Sequence, residues 1–180
     1  MTSRRAGATP LTVLTPIRAG AEAALAVHLR TLPEGERSPF HQLPGVHFAH
    51  LVVIERLRDD YLGAPLPPSS LAACYLLFTS TFDGTVAEHL AELRTRLGRE
   101  ADDIWGHCIN YPGHERPQQF LEYFLRNRIR ENRWHRAYDA TVPEIRAALE
   151  LRRRHIEFAL RARRLGEQEL QEAFLAEFGG

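Results

Sequence analysis

The chain has 180 residues, 44% hydrophobic and 26% charged, and its 23 basic and 23 acidic residues cancel. This is the size and balance of one globular domain with room for a helical appendage. Zero net charge argues against a general nucleic-acid binder, which needs a basic excess to displace phosphate counterions, and against a polybasic membrane-surface protein.

Residues 1–10 read as a disordered lead without the apolar core of a secretory signal. No apolar run reaches the roughly 18 residues of a bilayer span, so the expected location is cytoplasmic. The segment 11–17 is rich in β-branched residues and predicts a strand. Helix formers follow over 19–32, with Leu25, Leu29 and Leu32 at helical spacing. Pro33, Gly35 and Pro39 mark a loop before a second strand over 46–57. Three prolines and a glycine make 58–70 a loop, and 71–82 is the third strand, closed by Asp83-Gly84. Thr85 and Glu88 have capping-box spacing ahead of a helix with Val86, Leu90, Leu93 and Leu97 on its buried face. A further turn over 102–105 and a short helix from Pro117 form a helical insert. Residues 133–138 predict the last strand. Thr141 to Glu144 opens a long helix to about Arg164. Leu170, Phe174, Leu175 and Phe178 give the tail an apolar stripe.

The order β-α-β-β-α-insert-β-α describes an α+β, ferredoxin-like sandwich with an antiparallel sheet and an extended C-terminal helix. The expected organisation is a lead over 1–10, a domain over 11–165 and a helical tail over 166–180. Helices on one face leave the other face of such a sheet to be covered by a ligand, the tail or a second copy, and a homodimer through the sheet is expected.

The blocks HFAHLVVI (47–54), LLFTSTFDG (76–84), DDIWGHCINYP (102–112) and AYDATVPEIRAAL (137–149) resemble those of a poorly characterised bacterial group, loosely labelled peroxidase-related. That group looks like the dimeric α+β barrel superfamily, which includes haem peroxidases and small monooxygenases. The resemblance spans most of 11–160. It implies an oxidative enzyme acting on a small molecule, peroxidase- or monooxygenase-like, with a cavity above the sheet and haem as a candidate cofactor. The haem peroxidases' Gly-x-x-Asp-Gly motif is not matched, because Ser80 stands three residues before Asp83.

Nine histidines are the first chemical signal. His47 and His50 lie on one predicted strand and alternate, so His47 shares a face with Ala49 and Leu51, and His50 with Phe48 and Val52. Both faces are apolar, which places at least one histidine inside. A buried imidazole is either satisfied by a carbonyl or serves as a general base, haem ligand or metal ligand. No metal is named by the pattern. His107 follows Trp105-Gly106 at a helix end, where the dipole favours its protonated form. It could ligate haem with Trp105 against the porphyrin, or belong to a loop that docks Trp105 and Tyr111 in the core. Cys108 beside it is a candidate nucleophile, though neighbours in sequence point apart. Trp134, Arg136 and Tyr138 alternate on the last strand and could line the cavity, with Arg136 gripping a carboxylate or haem propionate. The expected catalytic groups are His47, His107, Tyr111 and Asp83, and the expected cofactor contacts are His107, Trp105 and Arg136. The other class of function is a non-catalytic ligand-binding or interaction module whose tail stripe docks on a partner chain. No nucleotide-binding, HExxH or GxSxG motif is present, and every basic residue is arginine, which removes lysine chemistry.

Overall fold

The computed structural model describes residues 8–55, 73–135 and 137–179. The chain divides into two compact units, 1–142 and 143–180. The first is α+β. Strand β1 (Ala8–Pro16) leads to helix α1 (Glu22–Thr31), then strands β2 (Val46–Ile54) and β3 (Tyr75–Asp83). Helices α2 (Val86–Leu97), α3 (Arg99–Trp105) and α4 (Pro117–Arg126) follow, and a two-residue strand β4 (Arg128–Ile129) ends the sheet. The four strands are antiparallel in the order β2-β3-β1-β4.

Alternation in the sequence sets the two faces. Leu11, Val13 and Thr15 of β1 and Leu76, Phe78, Ser80 and Phe82 of β3 are buried, as period-two side chains on one face require. Against them pack Leu25, Leu90, Leu93 and Leu97, with Trp105, Phe120 and Phe124. The opposite face carries Pro10, Thr12 and Leu14 on β1 beside Thr81, Thr79 and Leu77 on β3, and none of these is fully buried. The expected capping box holds: Glu88 N donates to Thr85 Oγ1 at 3.3 Å and Thr85 N to Glu88 Oε2 at 2.9 Å. It satisfies two N–H groups that the start of α2 would otherwise leave open.

Three expectations are corrected. The lead is shorter than ten residues, because 8–10 already pair with β3; residues 1–7 lie outside the described residues, as do 56–72. None of the described residues of 133–138 is in a strand. Only Arg128 and Ile129 pair with β1, opposite Val13 and Thr12. The third correction is in β2. Val46 faces Phe82 and Phe48 faces Thr81, so His47 is an extra residue in a β-bulge. Strict alternation fails there, and His47 leaves the face of Ala49 and Leu51. His50 is exposed, opposite Thr79, so the outer side of β2 is open rather than buried.

The second unit pairs α5 (Val142–Ala162, whose first residue belongs to the first unit) with α6 (Glu167–Phe178). Phe158 of α5 meets Phe174 and Phe178 edge-on, with ring centroids 5.8 and 5.4 Å apart. Arg154 and Arg161 both pair with Glu177. Half of the expected docking stripe, Phe174 and Phe178, therefore packs inside this hairpin. No helix among the described residues is long and apolar enough to cross a membrane.

Candidate functional site

A cleft of about 610 Å³ opens on the face of the sheet away from α1–α4. Its floor is Pro10 and Thr12 of β1 with Thr79 and Thr81 of β3; its sides are His47 and Phe48 of β2 and the segment 131–138, with Glu131, Trp134, His135 and Tyr138. The irregular segment thus lies over the sheet face instead of extending its edge. Trp134 and Tyr138 line the cleft as expected, although not on a strand. Arg136 lies outside the described residues.

His47 and Asp83 meet at the rim. His47 Nε2 is 2.9 Å from Asp83 Oδ1, and the His47 side chain is 7% exposed. The second carboxylate oxygen, Oδ2, accepts from Val142 N at 2.8 Å, which fixes the carboxylate plane. Asp83 is placed by sequence at two levels. It ends β3 on the outer face, and Gly84 behind it turns the chain at a φ of 93°, a left-handed conformation that favours glycine. The bulge then swings His47 to the same face. A carboxylate oxygen only accepts, so Nε2 donates, and in the neutral ring the lone pair is on Nδ1. Nδ1 has no hydrogen-bond partner among the described residues. The arrangement is an oriented imidazole at the edge of an apolar cleft, which suits a general base.

The other expected site residues lie elsewhere. Ala8 of β1 faces Asp83, whereas Ile17, just past the far end of β1, bridges to Cys108. Nine strand residues separate these ends, about 27–30 Å at ~3.3 Å per residue. His107 is therefore not beside His47. Its ring is held below the ordinary histidine range by burial and then by His28 and Arg18, so the expected dipole-stabilised imidazolium is overturned. Arg18 also hydrogen-bonds the Gly106 carbonyl at that helix end. Tyr111 donates to Asp102 Oδ1 at 2.9 Å, and burial with that bond pushes its hydroxyl far above the ordinary tyrosine range. Asp102 also accepts from His114 N at 2.8 Å and contacts His114 Nδ1 at 2.6 Å. Burial opposes the charge on Asp102, but these bonds hold its carboxyl below the usual range. The cluster ties the 106–114 loop to α3. Cys108 is 3% exposed with Sγ 3.3 Å from Thr15 Oγ1, and burial raises its thiol, which makes it a poor nucleophile.

Trp105, expected against the porphyrin, does not fit that role. Trp105 is fully buried, edge-on to Phe78 at 5.3 Å and Phe124 at 5.0 Å, and has no free face for a porphyrin. His47 has its Nε2 engaged by Asp83. Among the described residues no group of three or more His, Cys, Asp or Glu is placed to hold a metal ion.

Sequence reading missed Phe48, Thr79, Thr81 and Glu131. The threonines carried a usable signal, since Thr79, Thr81 and Asp83 alternate with Phe78, Ser80 and Phe82. No family model, curated protein or solved structure matches the chain.

Proposed function

We propose that the protein is a small-molecule-transforming enzyme of ferredoxin-like, dimeric α+β barrel type, with its site in the cleft on the open sheet face. The observation that carries this reading is the His47–Asp83 pair at 2.9 Å on the rim of an aromatic-lined cleft. The strand order supports the ferredoxin-like part: a β1-α1-β2 crossover with β3 between its strands and β4 on the other side of β1. The resemblance makes the chemistry oxidative, with dioxygen or peroxide as electron acceptor and the substrate as donor. What the chain's own residues supply is proton transfer. His47 Nδ1 takes a proton from the bound molecule, and Asp83 holds the ring. The aromatic walls offer apolar surface on which the substrate's body can rest beside the base.

A redox-neutral probe isolates that step. In 5-nitrobenzisoxazole, removal of the ring C–H proton breaks the N–O bond and releases a coloured cyanophenolate. The expected result is opening about 100-fold or more faster than with His47→Gln, the usual scale for a positioned base, with Asp83→Asn in between. Equal rates for wild type and His47→Gln, both variants folded, would sink the acid–base role. Saturable binding of the probe without turnover would instead favour a binding module of the same fold.

A further inference from the structure

Helix α5 of the second unit is apolar on two sides and meets α6 with one of them. Phe158 packs on Phe174 and Phe178, so that side is closed. Leu149, Ile156 and Leu160 lie on the other. At ~100° per residue they fall within about 40° of one another, and Ile156 stands about 200° from Phe158, on the reverse of the helix. They are 57%, 51% and 60% exposed. Residues spaced i, i+7, i+11 make a straight, narrow seam of about 16 Å, the pattern that receives one further helix.

Charge selects the helix. Arg146 and Arg152 stand about one turn either side of Leu149, and Arg152 lies in the seam between Leu149 and Ile156. Arg153, Arg154 and Arg161 are taken up by Glu150, Glu157 and Glu177. Arg146 and Arg152 make no ion pair or side-chain hydrogen bond among the described residues. The glutamates of α5 (Glu144, Glu150 and Glu157) all lie about 100° or more around the helix from Ile156. The seam is therefore positive and not neutralised within its own helix.

A second copy of α5 does not suit it. Laid parallel, two copies set their Arg152 side chains against each other. Laid antiparallel with Leu149 on Ile156, they set Arg152 against Arg153 at the centre, and like charges there oppose docking. The α6 of a second copy is acidic, with Glu167, Glu169, Glu172 and Glu177 and no basic residue. Its phenylalanines are engaged in its own hairpin, however, and Leu170 and Leu175 stand about 140° apart, too far to enter one seam. A bilayer suits it no better. The stripe is narrow and without aromatic residues, and it would carry the Arg152 guanidinium to the acyl chains.

We propose that this side of α5 is a docking surface for an acidic amphipathic helix of another protein. The apolar residues of that helix cover Leu149, Ile156 and Leu160, and its carboxylates pair with Arg146 and Arg152. The surface is independent of the cleft and its chemistry.

The test uses the full chain and two synthetic helices of three heptads. One has leucine at a and d and glutamate at e and g; the other has lysine in place of glutamate. Like charge keeps each from pairing with itself, so helix content by circular dichroism rises only on docking. In calorimetric titration the acidic probe is expected to bind at least about tenfold more tightly than the basic one, and more weakly as salt is added. The double variant Arg146→Glu with Arg152→Glu should reverse that preference, a gain that an unfolded protein cannot give. Ile156→Gln, at an exposed position, should weaken the acidic probe severalfold with helix content intact. No binding of the acidic probe, equal binding of both, or a preference that the double variant leaves unchanged overturns the proposal. Two further outcomes overturn it by naming another occupant. Adsorption to vesicles of mixed phosphatidylcholine and phosphatidylglycerol that Ile156→Gln abolishes would make the stripe a membrane surface. Self-association that Ile156→Gln abolishes would give it to a second copy.

Discussion

His89 shows how one residue can set the acid limit of the fold. It sits on the buried face of α2, 5% exposed, with its ring stacked flat on Phe82 at 3.8 Å. Its Nε2 is buried without a partner, and burial lowers its pKa from 6.5 to about 4. The unfolded chain therefore binds this proton at a pH where the folded chain does not. The stabilising effect of keeping His89 neutral is complete above pH 6.5 and is lost as the pH falls towards 4, a loss on the order of 3 kcal/mol. His89→Leu should flatten that slope, measured as urea midpoints at pH 4.5 and 7.5. Both tryptophans, Trp105 and Trp134, lie in the first unit, so their fluorescence reports its unfolding alone. An unchanged slope would remove His89 as the cause. The candidate site was only partly legible at this scale. Asp83 and His47 were readable as residue types, but their pairing depends on a bulge that no spacing rule announces. His107 was misread because the helix dipole was visible in sequence, while Arg18 and the burial that outweigh it were not.

At the scale of elements, patterns with internal support were legible and those decided by tertiary competition were not. The alternation of β1 and β3 and the Thr85–Glu88 cap follow from local rules. The last strand did not. Trp134, Arg136 and Tyr138 alternate as a strand would, yet the segment covers the sheet face, where Trp134 and Tyr138 line the cleft. Pairing with the edge of β1 stops after two residues. The 106–114 loop offers an element-level test. Asp102 receives Tyr111, the His114 backbone and the His114 ring, so Asp102→Ala releases three donors at once. Because Asp102 is 37% exposed, water recovers part of the loss, and destabilisation of about 1–2 kcal/mol is expected by urea unfolding. Opening of the benzisoxazole probe should be unchanged, since the loop lies at the far end of the sheet. A lost rate in a folded Asp102→Ala protein would tie the loop to the site.

For the whole molecule, the open face remains the main question of assembly. Beyond the cleft it carries Leu14, Leu77, Val52 and Ile54 in adjacent strands, with Val52 directly opposite Leu77. A homodimer that joins two such faces is the form the resemblance implies, and a row of this kind gives it an apolar centre. Sedimentation equilibrium should give twice the chain mass for wild type and the chain mass for Leu77→Glu, with the helical content of both intact. A wild-type monomer would remove the sheet-face dimer without touching the His47–Asp83 chemistry. The second unit keeps its phenylalanines for its own hairpin, and its arginines are partly taken up by glutamates on α5 and α6. Of the stripe visible in its sequence, Phe174 and Phe178 pack against Phe158, while Leu170 and Leu175 are exposed.

The bulge makes the position of the imidazole independent of the register of the sheet. Without His47, Val46 would still face Phe82, Phe48 would still face Thr81, and every cross-strand pair of β2 would survive. The imidazole is a supernumerary residue laid onto a finished framework. Deleting His47 alone should therefore leave the sheet folded and take the imidazole from beside Asp83, an outcome that circular dichroism and the benzisoxazole probe can check together.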